Sequence, residues 1–234
     1  MKKTSYFSLG NTKLLDCAAK YKLRLASFDL PAGHTCPMAL LCHSRAVVNS
    51  DGKAVIVDYG EFRCYAASTE VLWKNVRNVR NVNLELSKSD NFIDTINSEI
   101  ARLGLTSIRI HSSGDFYSYG YMMKWIEIAR LNPDVQFWGY TKMGTFLKIL
   151  NAESNMNFVY SMGGLLDAYA VKNNLPICRV VNDEQQAQEL GLPVACTADH
   201  KSNDYEFIQS QKSFALVIHG MQKAGSKKRK IKTA

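Results

Sequence analysis

Three of the six cysteines crowd into one stretch of loop-like sequence. Cys36 and Cys42 lie in Pro31-Ala-Gly-His-Thr-Cys-Pro-Met-Ala-Leu-Leu-Cys-His43, and Cys64 lies in Gly60-Glu-Phe-Arg-Cys-Tyr-Ala-Ala67. Thiolate is a soft ligand that selects zinc or iron–sulfur clusters. Pro31, Gly33 and Pro37 mark irregular backbone, the kind that turns separate thiols toward one point. Structural zinc sites take four ligands, commonly in paired C-x-x-C knuckles, and the chain has no such pair. Three thiolates leave one metal position open. That suits an iron–sulfur cluster with one iron lacking a thiolate, or a zinc ion completed by His34, His43 or His111. The spacing C-x5-C then C-x21-C follows no rigid template, so the metal reading of Cys36, Cys42 and Cys64 stands beside a plainer one, in which they are small buried apolar side chains. Cys17, Cys178 and Cys196 lie in helix-like or strand-like sequence and read as structural. A chain of this size without an export signal is expected to keep its thiols reduced.

A second set of capable residues recurs at intervals: Arg109-Ile-His-Ser-Ser-Gly-Asp-Phe-Tyr117, Tyr140-Thr-Lys142, Ser161-Met-Gly-Gly164, Asn182-Asp183, Thr197-Ala-Asp-His200 and His219-Gly220. His111 and His219 are candidates for proton exchange near neutrality. Asp115 follows Gly114, where backbone can approach a ligand closely, and Lys142 can hold an anionic group. His111, Asp115, Lys142 and His219 are therefore the candidate catalytic residues. Ser113 and Gly114, with Gly163 and Gly164 ahead of a helix-like segment, offer hydroxyl and backbone amides for binding a cofactor or phosphate. Turn chemistry alone also supplies Gly, Ser and Asp at strand ends, so each has a capping role as its alternative.

The elements that must position these groups alternate. Strands are expected at residues 53–59, 106–111, 135–140, 158–160, 177–181, 194–196 and 214–218. Helices are expected at 67–87, 90–103, 119–131, 146–150, 165–171 and 184–190. The second helix carries Phe92, Ile93, Ile96, Ile100 and Leu103 on one face, with Gly104 to end it. Strands alternating with helices pair in parallel, and seven are slightly few for a closed eight-fold barrel. The predicted fold is α/β: an incomplete (β/α) barrel of about seven mainly parallel strands with a loop-rich, Cys-bearing N-terminal segment. Residues 1–50 form that segment, 51–222 the barrel, and 223–234 a basic disordered tail. Ligands of such folds sit beyond the carboxyl ends of the strands, where the second set of residues falls.

Charge adds a partner class. The 234 residues carry 29 Lys+Arg against 21 Asp+Glu, net +8. Five of those eight charges come from Lys227, Lys228, Arg229, Lys230 and Lys232, so the tail could contact nucleic acid through phosphates or serve as a solubilising end. The longest apolar runs, residues 38–42 and 214–218, are far too short to cross a bilayer. The expectation is a soluble, cytoplasmic protein.

The motifs at 30–37, 62–67, 109–117, 140–142 and 218–220, in that order, resemble the bacteriophage gene product 88 family across roughly residues 5–225. The resemblance implies a phage-encoded protein acting in the bacterial host cytoplasm and brings no activity with it. In plan the sequence is also similar to radical S-adenosylmethionine enzymes: a partial α/β barrel, three cysteines after the first strand, and a Gly-Gly-Glu-like turn after the second, here Ser113-Gly114-Asp115. Those enzymes group their cysteines in one C-x3-C-x2-C loop, whereas here they spread from 36 to 64 and two precede the strand expected at 53–59. Two readings follow. One is an iron–sulfur enzyme using S-adenosylmethionine on a small molecule, nucleotide or nucleic acid. The other is a zinc-stabilised or metal-free binding protein for host protein or nucleic acid. A hydrolase built on His111 and Asp115 ranks below both, for want of a nucleophile motif.

Overall fold

The computed structural model describes residues 5–10, 12–58, 64–196 and 204–218. His200, His219 and the basic tail lie outside the described residues. In chain order the elements are α1 (Thr12–Tyr21), β1 (Leu25–Phe28), β2 (Arg45–Val48), β3 (Ala54–Val57), α2 (Tyr65–Leu72), α3 (Lys74–Lys88), α4 (Phe92–Leu103), β4 (Ser107–Ile110), α5 (Tyr119–Leu131), β5 (Gln136–Thr141), a 3-10 turn (Gly144–Phe146), α6 (Leu147–Leu150), β6 (Met156–Ser161), α7 (Asp167–Lys172), β7 (Ile177–Val181), α8 (Glu184–Glu189), β8 (Val194–Cys196), α9 (Asp204–Gln209) and β9 (Phe214–Val217).

Seven strands form one sheet in the order β1-β4-β5-β6-β7-β9-β8, every neighbouring pair parallel. The sheet curls into a half-barrel, the incomplete barrel that strand–helix alternation predicts. The count agrees with the expectation, but one member differs. Residues 53–59 do not join the barrel: β3 pairs antiparallel with β2 in a separate two-stranded sheet. The place at the barrel's edge belongs to β1, inside the segment expected to be loop-rich, and all four of its residues are buried. Strand propensity marks a segment that fits a pleated surface and says nothing of which partner it finds. The correction matters, because Cys36, Cys42 and Cys64 now all follow the first barrel strand and precede the second.

The helix expected over 67–87 is broken at Trp73, extended at φ −123° and ψ 98° between α2 and α3. Helix α3 buries Arg80, Asn83 and Ser87, polar residues that an apolar-stripe search passes over. Gly104 ends α4 in the left-handed conformation (φ 58°) as expected.

Alternate strand residues face two cores. On the helix-covered side Phe28, Ile108, Ile110, Phe137 and Phe158 pack against Phe92 and Ile96 of α4 and Met122, Trp125 and Ile126 of α5. On the inner side Leu25, Trp138, Val159, Cys178 and Phe214 meet Leu14 of α1 and Ile208 of α9. Burying each such side chain contributes roughly 1.5–3 kcal/mol, enough to hold the strand ends in fixed relation.

Candidate functional site

Beyond β1 the chain crosses the carboxyl edge of the sheet. The Leu30 amide donates to the Ser113 carbonyl (2.9 Å), and Ser113 Oγ donates back to the Leu30 carbonyl (2.8 Å). This sews the start of the loop to the turn after β4. Further along, Ala39 bridges Gly164, the Leu165 amide donates to the Met38 carbonyl (2.9 Å), and the amides of Leu40 and Leu41 donate to the Gly163 carbonyl. The loop is thereby tied to the turn after β6. Gly114 makes the first tie possible. Its φ is +87°, and a Cβ there would lie 2.6 Å from both Leu30 Cβ and Thr35 Oγ1. Gly114→Ala is expected to destabilise the fold by about 1–3 kcal/mol from backbone strain alone, read as a lower urea midpoint.

Two of the thiols sit on this loop and the third at its far side. The Cys64 amide donates to Ser44 Oγ (3.0 Å) and the Ser44 amide to the Cys42 carbonyl (2.8 Å), so Cys42 and Cys64 share a turn although 22 positions apart. Burial pushes the Cys36 thiol well up, and the charges of Asp115, Cys64 and Cys42 push it further. Burial and then Cys42 push Cys64 up. The three sulfurs therefore feel one another at one mouth. Among the described residues, no three His, Cys, Asp or Glu side chains converge closely enough to hold a single metal ion. His111, weighed as a fourth zinc ligand, turns its ring into the helix-side core, and His34 is exposed.

His111 has φ +67°. Its Nε2 lies 2.9 Å from Tyr121 Oη, its ring meets Phe116 edge-on at 4.8 Å, and its Nδ1 is buried without a partner. Burial lowers its pKa from 6.5 to about 3, so it stays neutral where the sequence reading wanted a proton carrier. The unfolded chain takes up this proton below its ordinary pKa while the folded one refuses it, so stability falls as pH drops from about 6.5 toward about 3. The slope is up to about 1.4 kcal/mol per pH unit. His111→Asn, which tolerates the positive φ, should flatten that slope in urea titrations repeated across the window.

Asp115 accepts from the Phe116 amide, Thr141 Oγ1 and the Lys142 amide, each at 2.7 Å. Burial still raises its pKa against these donors. Lys142 Nζ donates to the Ser161 carbonyl (2.8 Å), Ser161 Oγ (3.2 Å) and the Met162 carbonyl (2.7 Å). The Gly163 and Gly164 amides donate to Asp167. Ser113, Gly114, Asp115, Lys142, Gly163 and Gly164 are thus brought into one rim that laces the ends of β4, β5 and β6 under the thiol loop, with their polar groups engaged by the chain itself.

Four residues of the mouth were not singled out as site residues by the sequence reading. Asp29 accepts from the amides of Ser112 (2.7 Å) and Ser113 (3.3 Å) and from Ser27 Oγ (3.1 Å). Glu70 accepts from the Ala32 amide (2.9 Å) and Arg80 (2.7 Å). Tyr65 donates to the Ser112 carbonyl and is 47% exposed, yet burial raises its hydroxyl pKa. Arg109 is also partly exposed while enclosed. The signal for Arg109 was a charged residue amid the apolar run of β4.

The profile of the family described as Gene product 88 matches residues 4–234. Among curated proteins, the Gene 88 protein of Mycobacterium phage L5 is 31% identical over 134 residues, 52% of this chain and 53% of that protein. The Gene 88 protein of Mycobacterium phage D29 is 33% identical over 111 residues, 42% of this chain and 46% of that protein. The chain thus spans about half the length of the curated relatives it matches. No solved structure matches. The likeness to radical S-adenosylmethionine enzymes rests on plan alone.

Proposed function

Because the chain belongs to the Gene product 88 family, whose matched relatives are phage proteins, we propose that it is a phage metalloenzyme. In this reading Cys36, Cys42 and Cys64 hold an iron–sulfur cluster above the open end of the half-barrel. The observation that carries it is three thiols, drawn from distant positions, that lie within electrostatic range of one another on the loop after β1 and at its far side. The order of elements supports the same reading, since the three cysteines fall between the first and second barrel strands. A cluster bound there would supply one-electron chemistry at an iron without a thiolate, with S-adenosylmethionine as the co-substrate that the radical-enzyme plan implies.

The chain's own contributions follow from the geometry. The rim from Ser113 to Gly164 fixes the loop and therefore the thiols. Partial burial at Cys36 and Cys64 limits the access of water to the sulfurs. Tyr65, whose hydroxyl donates to the Ser112 carbonyl, borders the same mouth. The proposed substrate is a small molecule, nucleotide or nucleic acid met in the host cytoplasm; net charge +8 and the basic run at 227–232 favour the anionic members of that set. The loop after β1, with Cys64 at its far side, acts as the ligand-bearing cover. Among the described residues no helix is long and apolar enough to cross a membrane.

The test is anaerobic purification followed by the visible spectrum and assays for iron and acid-labile sulfide. Stoichiometric iron with sulfide and a broad visible band are expected. Zinc alone, or no metal after reconstitution, overturns the reading in favour of a binding protein.

A further inference from the structure

The inner face of the half-barrel holds a guanidinium with no hydrogen-bond or ion-pair partner among the described residues. Arg109 lies on β4, in register with Ser27 of β1 and Trp138 of β5. Its guanidinium carbon is 5.5 Å from the Trp138 ring centroid and 5.1 Å from that of Tyr140. Among the described residues it makes no hydrogen bond or ion pair, and its Nε is buried with no acceptor. Buried charges are ordinarily paired, because leaving water costs several kcal/mol per ion. Two carboxylates stand close enough for Arg109 to feel them, Asp204 and Asp29. Asp29 is engaged by Ser27 and the amides of Ser112 and Ser113, and Asp204 accepts from Tyr140 Oη at 2.7 Å. The other buried cations are spoken for: Arg80 is paired with Glu70, and Lys142 is spent on the end of β6.

We propose that Arg109 anchors a binding site inside the half-barrel for the carboxylate of a small molecule whose apolar part lies against Tyr65 and Tyr140. A guanidinium is a planar fork that matches a carboxylate through two parallel hydrogen bonds. Its position over two aromatic rings fixes the plane of that fork while leaving the N–H groups to a ligand. The charge count chooses among anions. Asp29 and Asp204 already stand near this cation, so among anions the one of smaller charge is favoured over a phosphate dianion. The partial exposure of Arg109 and the 47% exposure of Tyr65 give the ligand its way in. This site draws on none of the three thiols and stands without the cluster.

The test compares three probes of one shape, benzoate, phenyl phosphate and neutral benzamide, by ligand-observed NMR titration of the full chain, with and without chelator. Benzoate should bind, more tightly than phenyl phosphate, and benzamide should not compete. Arg109→Gln should weaken benzoate at least about tenfold, the loss of one charge-assisted pair. Arg109→Lys, which keeps the charge and loses the fork, should weaken it less, and it decides the matter if Arg109→Gln does not fold. No benzoate binding, equal binding of benzamide, tighter binding of phenyl phosphate, or unchanged affinity in the folded variants overturns the proposal. Binding that survives the chelator keeps this outcome separate from the fate of the cluster.

Discussion

Glu70→Ala should cost the fold about 3–5 kcal/mol, the size expected when one partner of a buried ion pair is removed, against a total stability of about 5–15 kcal/mol for an ordinary domain. Glu70 is 1% exposed, and Arg80 only 7% by side chain. Its Oε1 accepts from Arg80 Nη1 (2.7 Å), from the Ala32 amide (2.9 Å), and at the limit of range from Ser113 Oγ (3.5 Å). One carboxylate therefore joins α2, α3, the loop after β1 and the turn after β4. Truncation leaves the Arg80 cation buried with only the Ala66 carbonyl at 3.0 Å, and it strands the Ala32 amide. Urea denaturation measures the loss, and a double-mutant cycle assigns it. Glu70→Leu with Arg80→Met should be markedly less destabilised than Glu70→Ala, because no charge is then left unpaired. If Glu70→Ala shifts stability by less than about 1 kcal/mol, the range of an ordinary surface change, this knot does not hold the loop.

The same residue shows where sequence reasoning stops. The barrel strands from β4 to β9 were legible because each is a short apolar run bounded by turn residues, with helical stripes between them. The strand β1 was not: Leu25-Ala-Ser-Phe28 shows no alternation, because both of its faces are buried, and an equally plausible run at 54–57 stood nearby. Sequence reads a strand's fit to a sheet, while its partner is decided by the whole core. At the site the polar strand ends were legible, since Ser113, Gly114, Asp115 and Lys142 interrupt strand pattern in the expected place. Their work differs from the sequence expectation, because every hydrogen-bonding group of Asp115 and Lys142 described here is engaged by the chain. Asp29 and Glu70 were not legible, and Arg109 was visible in its motif without being singled out. Charged residues are presumed to face water, and only the three-dimensional neighbourhood reveals that these do not. His219 was legible as a candidate and lies outside the described residues.

Cys64→Ser and Cys36→Ser should each abolish iron incorporation while leaving the protein folded, with stability changed by less than about 1 kcal/mol. Loss of metal follows from count: two thiolates do not hold a cluster that needs three from this chain, and serine is a harder and less acidic ligand. Retention of the fold follows from how the loop is held. Where a zinc site supplies the folding energy, removing the metal unfolds the domain. Here the loop is docked by backbone bonds from Leu30 to Ser113 and from Leu165 to Met38, and by the Glu70 carboxylate at Ala32, none of which passes through sulfur. Cys17→Ser and Cys178→Ala serve as controls that keep full iron. Their thiols lie in the inner core, away from the loop that carries Cys36 and Cys42, so neither is placed to reach a cluster at the mouth. Iron, sulfide and the visible band are measured beside circular dichroism on the same preparations. A Cys64→Ser protein that keeps its iron would remove Cys64 from the cluster, and one that unfolds would turn the centre from a catalytic device into a structural staple.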